Sequence, residues 1–272
     1  MPSRTSTKGA HKDFPRFVRN ALSSQDGRKL EALKAFGRWL FGDYRLTWPQ
    51  LAWWQDEAFT AFLHRFDELD GFNTHRKWVL AQLVRLTVDV PGDTAECSVY
   101  QGASSWLICA ANRGNRWHER VHHLFDSFEG LSEPGAFDGS HWRKGNLRAD
   151  EEVAVKNLAA FERVAFYKGW IPERFPDVSE KTFSFVHLDI DLYQPTRDSV
   201  AFFYDRLSPG GVLVCDDYGF ITCTDVTKAI DDFLRDKPEK MIALAAGAGF
   251  FIKGMPSDTG RPCCRRIGLC SG

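Results

Sequence analysis

From residue 91 onward, short apolar runs alternate with stretches in which apolar residues recur every three or four positions. Short runs rich in β-branched and aromatic residues predict buried strands, whereas the wider spacing predicts helices. The predicted strands are Thr94–Val99, Val121–Phe125, Val164–Lys168, Phe183–Leu188, Val212–Cys215, Met241–Ala245 and Phe250–Lys253. The predicted helices are Ser104–Ala111, Asp150–Ala160, Thr196–Leu207 and Asp225–Asp236.

This order of elements predicts an α/β fold. Strands that are linked by helices favour a mostly parallel, doubly wound sheet. The last two strands are separated by Gly247 and Gly249, which predicts a closing antiparallel hairpin. We assign this domain to residues 91–255.

The N-terminal third has a different pattern. Residues 1–26 are polar, basic and aperiodic, which predicts a mobile arm. Residues 27–90 carry apolar residues at helical spacing, with Asn73 as a candidate N-cap, and we expect them to pack on or cover the core. The tryptophans of this helical region either pack its helices, line a substrate pocket or form a subunit interface: Trp39, Trp48, Trp53 and Trp54. Residues 256–272 are predicted to form a C-terminal tail.

Composition and charge narrow the function classes. The chain has 272 residues, of which 43% are hydrophobic, so a large core is expected. A net charge of −1 argues against a broad nucleic-acid surface. The longest apolar stretch, near Met241–Phe251, is too short to span a membrane, and the first residues lack the apolar segment of a secretory signal. We therefore expect a cytoplasmic protein without a membrane span.

Cysteine usage agrees with that location. The seven cysteines are an odd number, and Cys97, Cys109 and Cys215 lie inside apolar runs, which indicates reduced core residues. Cys263, Cys264 and Cys270 lack the spacing and the histidine partner of a zinc site, so a loose tail is favoured.

Two pairs of carboxylates carry the strongest chemical signal. Asp189 and Asp191 follow one apolar run, and Asp216 and Asp217 follow the next. If both runs are parallel strands of one sheet, the acids meet at its carboxyl edge, where open α/β folds bind ligands. Gathered carboxylates repel each other unless a cation lies between them, and oxygen ligands suit Mg²⁺. Acids at strand ends can also be solvated loop formers, but four beside Tyr193 and Tyr218 favour a metal site.

A second signal lies after the first predicted strand. Glu96 is followed by a tight turn to Gly102, and a helix begins there, so backbone N–H groups could face a ligand. The GxGxxG dinucleotide motif is absent, and an ordinary strand-to-helix turn is the alternative. Asp126 ends the second strand, a position that suits a ribose diol, although an acid that caps the next loop is equally consistent. His187 is interpreted as a buried, hydrogen-bonded residue.

With these motifs in order, residues 92–253 resemble the TylF-type O-methyltransferases, the family of macrocin, mycinamicin and novobiocin sugar-methylating enzymes. The resemblance rests on Glu96-x-x-Val99-x-x-Gly102, Asp126–Leu131, Lys168-Gly169-Trp170, Leu188–Tyr193, Leu207–Gly211 and Asp216–Gly219. It implies a Rossmann-like class I methyltransferase fold and a methyl transfer from S-adenosylmethionine (SAM) to a hydroxyl, usually of a sugar, assisted by Mg²⁺.

The resemblance also implies roles for individual residues. Asp191 becomes the candidate base. The implied metal ligands are Asp189, Asp216 and Asp217, and the implied cofactor-binding residues are Glu96, Gly102, Ser104, Asp126, Ser127 and Asp189. We further expect a small-molecule or glycosyl acceptor with a vicinal diol, and a homo-oligomer.

Two departures from the family pattern are visible, and several functions stay open. Ser98 stands where the family usually has glycine, and Thr224–Thr227 replaces an expected Pro-Gly pair. Within the methyltransferase interpretation, a catechol-like phenol is the second acceptor class. A metal-dependent hydrolase would also use clustered carboxylates, but it would not need the Glu96–Gly102 turn. A non-catalytic SAM-binding protein would not need to retain repelling acids.

Overall fold

The computed structural model describes residues 14–22, 26–41, 52–69, 73–114, 119–220 and 222–257. Their contacts divide the chain into two compact units, with the division after Gln55. The predicted helical region of residues 27–90 is therefore split, because its part from Asp56 onward belongs to the unit that contains the sheet. Among the described residues, no helix combines the length and the apolar character that a membrane crossing requires.

A seven-stranded sheet forms the centre of the second unit. Its strands are β1 (Asp93–Cys97), β2 (His122–Asp126), β3 (Val164–Lys168), β4 (Phe183–Leu188), β5 (Leu207–Cys215), β6 (Ile242–Ala243) and β7 (Gly249–Ile252). They are ordered β3-β2-β1-β4-β5-β7-β6. The first five are parallel, whereas β7 is antiparallel to both β5 and β6. The predicted doubly wound sheet with a closing hairpin is thus confirmed.

The helices of the second unit flank the sheet, as the apolar spacing predicts, and the helices up to Gln55 belong to the first unit. The described helices are α1 (Phe14–Ala21), α2 (Asp26–Phe41), α3 (Ala52–Gln55), α4 (Glu57–Phe66), α5 (Asn73–Leu83), α6 (Ala103–Arg113), α7 (Glu151–Leu158), α8 (Tyr193–Tyr204) and α9 (Thr224–Leu234). Asp56 caps α4, because its carboxylate accepts a hydrogen bond from the Phe59 N–H at 2.9 Å.

The predicted arm contains one helix. Helix α1 lies inside residues 1–26, and no helix was predicted in this segment because its sequence shows no clear apolar period. Phe14, Phe17, Val18 and Ala21 recur at helical spacing, and Pro15 suits a first helical turn, but the segment is too short for its period to be clear among basic residues. Residues 1–13 and the tail cysteines Cys263, Cys264 and Cys270 lie outside the described residues.

The two faces of the sheet are buried against different helices. Because strand side chains alternate between faces, Phe125 packs with Phe203 of α8, while its neighbour Leu124 packs with Leu158 of α7. Strand β4 is buried along its whole length, so its apolar residues fall on both faces and its two polar residues, Ser184 and His187, are buried as well.

The strand order places a crevice at one point of the sheet. The chain turns outward in opposite directions from β1 and β4, so these neighbouring strands form the switch point where ligands bind in such sheets. Leu188 pairs with both Cys97 and Cys215, which brings the ends of β1, β4 and β5 to the same level. The residues that follow these three strands therefore lie side by side.

Candidate active site

A cleft opens at this switch point. It is lined after β1 by Ser98, after β2 by Asp126 and Ser127, and after β4 by Ile190 and Leu192. Trp170, Gly130 and Leu131 complete its wall. Two of the predicted cofactor residues, Asp126 and Ser127, thus share one concave surface.

The turn after β1 depends on Asp126. The N–H groups of Val99 and Tyr100 donate to its Oδ2 at 2.6 and 3.0 Å, and the Phe128 N–H donates to its Oδ1 at 2.7 Å. Asp126 therefore orders the turn that faces the cleft, in addition to any contact with a ligand. Both interpretations of this residue, loop organiser and ligand residue, are consistent with its position.

Ser98 occupies a backbone conformation that favours glycine. Its φ angle is +70°, in the left-handed region, where a Cβ atom costs about 1–2 kcal/mol. The departure from the family pattern at this residue therefore leaves the turn intact and places strain in it. Gly102 also has a positive φ, of +85°, and it directly precedes α6.

Two of the other predicted cofactor residues, Glu96 and Ser104, lie in the protein interior, whereas the Asp189 side chain is partly exposed. The Ser104 hydroxyl accepts a hydrogen bond from Lys77 Nζ at 2.6 Å. Glu96 is buried, and it accepts hydrogen bonds from Ser105 Oγ and, at 3.1 Å, from His187 Nδ1. These contacts favour indirect roles for Ser104 and Glu96, which would position the site without touching the ligand.

Glu96 belongs to a buried chain of charged groups. Although burial opposes ionisation, the neighbouring His122 and His187 lower the pKa of Glu96 to about 2. Burial also opposes protonation of His187, but Asp216 and Glu96 raise the pKa of this imidazole to about 9. His187 is thus buried and hydrogen-bonded, as predicted, and its Nε2 lies 4.0 Å from Asp216 Oδ1.

The four aspartates that follow β4 and β5 meet at the edge of the sheet. The Asp216 N–H donates to the Leu188 carbonyl at 2.8 Å, which fixes the ends of the two strands to each other. Asp217 Oδ2 accepts from the N–H groups of Ile190 and Asp191 at 3.0 and 2.9 Å. The second carboxylate pair therefore organises the loop that carries the first.

Two cations from α5 approach this cluster, and the sequence analysis missed both. Arg76 Nη2 forms an ion pair with Asp216 Oδ2 and lies 3.8 Å from Asp189 Oδ1. Lys77 is buried, and nearby carboxylates raise its pKa against the effect of burial. The signal available in the sequence was an Arg-Lys pair beside Trp78, at the start of a helix whose other face is apolar.

The four carboxyl groups outnumber the two cations that approach them from α5. Burial and the charge of Asp189 raise the pKa of Asp217 to about 7, and burial with the charge of Asp217 raises the pKa of Asp191 to about 9. Asp216 is the exception: burial opposes its ionisation, but Arg76 holds its pKa well below the usual range. Carboxylates with raised pKa values beside one another fit a site that gains a further cation.

The oxygen donors are not drawn together around one point. Among the described residues, the group with ligand atoms within 4.8 Å of one another is Asp191, Asp217 and Cys223. The predicted set of Asp189, Asp216 and Asp217 shares only Asp217 with it. The donor chemistry thus fits a divalent ion, but Asp189 and Asp216 face Arg76 instead.

Comparison with known proteins adds a family relationship. A sequence model described as macrocin O-methyltransferase (TylF) matches residues 77–247, which is more than half of the chain. The 8-demethyl-8-(2,3-dimethoxy-alpha-L-rhamnosyl)-tetracenomycin-C 4'-O-methyltransferase of Streptomyces olivaceus is 34% identical over 155 residues, which cover 53% of this chain and 58% of that protein. Demethyldecarbamoylnovobiocin O-methyltransferase of Streptomyces niveus is 29% identical over 156 residues, with coverages of 53% and 59%.

A solved structure shares the fold. The O-methyltransferase NovP is similar to this chain with a TM-score of 0.60 and 26% sequence identity. The similarity covers 67% of this chain and 81% of NovP. The matched part of this chain spans about three fifths of the length of the curated relatives.

Proposed function

Because the chain belongs to the macrocin O-methyltransferase (TylF) family, we propose that it transfers a methyl group from SAM to a hydroxyl of a sugar or a glycosylated natural product. The observation that carries this proposal is the position of the cleft. It lies at the switch point of the sheet, and Ile190 of its wall stands between the aspartates Asp189 and Asp191. A cofactor in the cleft would thus have the acids next to its reactive end.

For the cofactor, we propose that Asp126 binds the ribose and that Ser127, Gly102 and the backbone of the turn complete the site. Asp126 accepts three backbone hydrogen bonds, and a carboxylate has about four lone-pair sites, so capacity for a ribose hydroxyl is left. Glu96 and Ser104 would support the site from the interior.

For the acceptor, a sugar hydroxyl is favoured over a phenol. The matched protein of Streptomyces olivaceus is named for methylating position 4' of a rhamnosyl tetracenomycin. We propose a vicinal diol, because two neighbouring oxygens could occupy open positions on a divalent cation. The rhamnosyl group in the name of that relative instead carries methoxy groups at positions 2 and 3, so there a methoxy oxygen stands beside the 4' oxygen.

We propose that Asp189, Asp216 and Asp217 would hold this cation, for which Mg²⁺ is the leading candidate. When bound, it would supply Lewis-acid stabilisation of negative charge on the acceptor oxygen. Its binding at this edge is supported by the excess of carboxylates and by the raised pKa values of Asp189 and Asp217, which burial and like charge produce.

Asp191 is the proposed base. An alcohol is as weak an acid as water, whose pKa is about 15.7. The pKa of Asp191 is raised to about 9 by burial and by Asp217, so the gap to an alcohol is about 7 units, or roughly 9 kcal/mol. Asp191 alone does not close this gap, and proton transfer must be accompanied by stabilisation of the oxygen's developing charge. Because the raised pKa keeps the Asp191 carboxyl protonated at neutral pH in the metal-free protein, it would accept a proton only once a bound cation favours its ionised form.

The test is a methylation assay with a panel of glycosides that carry vicinal hydroxyls. We expect a product heavier by one methylene group with SAM and Mg²⁺. Asp191→Asn should retain SAM binding and lose most turnover, whereas the exposed control Asp177→Asn should resemble the wild type. Transfer to phenols but to no glycoside would contradict the proposed acceptor, and near-normal turnover of Asp191→Asn would contradict the base.

A further inference from the structure

Arg76 lies where a metal ion would be expected to lie. Its guanidinium pairs with Asp216 and approaches Asp189, which are two of the three proposed metal ligands. The Arg76 side chain is only 10% exposed, so the contact is an internal one rather than a loose surface pair. In the metal-free protein, Arg76 therefore already neutralises part of the negative charge of Asp189 and Asp216.

We propose that Arg76 and the divalent cation compete for the carboxylates of Asp189 and Asp216, so that metal binding requires the guanidinium to withdraw. This inference rests on the proposed function. A guanidinium N–H and a metal ion both need the oxygen lone pairs, and two cations close together in a poorly solvated site repel each other strongly. Arg76 thereby stabilises the metal-free protein and lowers its affinity for metal.

The surroundings of Arg76 allow such a withdrawal. Its Cζ lies 5.0 Å from the centre of the Phe220 ring, so a cation–π contact that does not use the carboxylates is already within reach. Its Nε is buried and makes no hydrogen bond to the described residues. The guanidinium is thus anchored mainly through its pair with Asp216, in contrast to a clamp bonded on every edge.

Lys77, the neighbouring cation on α5, is not placed to compete with a metal ion for these carboxylates. Lys77 Nζ is engaged by the Ser104 hydroxyl at 2.6 Å, so its position is tied to α6. Of the two residues, only Arg76 has an ion pair with the acid cluster. The competition is therefore assigned to Arg76.

Calorimetric titration with Mg²⁺, and with Mn²⁺ as a tighter-binding probe, tests the proposal. Arg76→Gln should bind metal at least about tenfold more tightly than the wild type, because a neighbouring positive charge is removed. Arg85→Gln is the matched control: Arg85 is exposed and bonds Gln82, and its replacement should leave the affinity unchanged. Metal-free Arg76→Gln should melt at a lower temperature than the wild type, and saturating metal should reduce this difference.

Without Arg76, the buried carboxylate of Asp216 loses its ion-pair partner, so Arg76→Gln could fail to fold. Arg76→Lys keeps the positive charge but has no guanidinium. The Nε–H signal that is present in the NMR spectrum of the wild type and missing from that of Arg76→Lys therefore belongs to Arg76. Saturating Mg²⁺ should shift that signal in the wild-type protein. An unchanged signal at saturation, or an equal or weaker affinity of Arg76→Gln, would overturn the competition.

The outcomes separate this inference from the proposed function. Metal-dependent methyl transfer together with equal affinities of Arg76→Gln and the wild type overturns only the competition. Absence of metal binding in both proteins overturns the proposed metal and, with it, the role of Arg76. Methyl transfer would then need to be assayed without metal, and its presence would leave the methyltransferase proposal standing.

Discussion

Raising the pH should destabilise the metal-free protein, because its active-site carboxyls are easier to bury when protonated. The pKa of Asp217 is raised from 3.8 to about 7, and that of Asp191 to about 9, in each case by burial and a neighbouring acid. The unfolded chain releases these protons near pH 4, whereas the folded protein keeps them. The stability contributed by the protonated forms is therefore complete below about pH 4 and is lost as the pH rises through 7 and 9.

The size of this effect follows from the pKa differences. One pKa unit corresponds to about 1.4 kcal/mol, so a difference of about 3 units for Asp217 amounts to roughly 4 kcal/mol. Protonated His187, whose pKa is raised to about 9 by Asp216 and Glu96 against the effect of burial, acts in the same direction above about pH 6.5. Since total stabilities are about 5–15 kcal/mol, the loss should be large enough to measure.

Urea unfolding of EDTA-treated protein between pH 5 and 9 measures it. We expect the midpoint to fall steadily across this range, and saturating Mg²⁺ to flatten the profile by stabilising the ionised carboxylates. Asp217→Asn should reduce the slope mainly between pH 5 and 7, whereas the exposed control Glu180→Gln should not change it. A metal-free midpoint that is constant or rises from pH 5 to 9 would show that these carboxyls are not protonated in the folded protein.

Two further variants examine the cleft. Ser98→Val should lower the free energy of unfolding by at least about 1 kcal/mol, because a β-branched residue is poorly tolerated in the left-handed region. Ser98→Gly should be at least as stable as the wild type. Equal stabilities of Ser98→Val and the wild type in urea unfolding would contradict the backbone strain at Ser98. Asp126→Ala should weaken SAM binding in calorimetry and cost about 1–3 kcal/mol of stability through unpaired backbone N–H groups. Unchanged SAM affinity would exclude the ribose contact, and unchanged stability would exclude the ordering of the turn by Asp126.

Much of the fold was predictable from local patterns. Strands β3 and β4 have the predicted ends, because each apolar run is short and bounded by polar or turn-forming residues. Adjacency of β4 and β5 followed from the helix between them, and this adjacency brings Asp189 and Asp216 together. The carboxylate cluster was therefore visible in the sequence.

The partners of the cluster were not visible, because they come from distant segments. Arg76 precedes Asp216 by 140 positions, and Cys223 lies 32 positions from Asp191. Nothing local distinguishes such residues from an ordinary helical cation or a core thiol. Glu96 illustrates the same difficulty: its motif suggested the cofactor, while its hydrogen bonds to Ser105 and His187 are set by tertiary packing.

We infer that the four acids at the carboxyl edge serve a metal-assisted methyl transfer. This is tested most directly by following a labelled methyl group from SAM to a rhamnosylated acceptor in three samples: the wild type in EDTA, the wild type after Mg²⁺ is restored, and Asp217→Asn in Mg²⁺. Transfer by the wild type is expected only when Mg²⁺ is present, and Asp217→Asn should lose most of it. Full transfer in EDTA, or an undiminished rate in Asp217→Asn, would contradict this inference.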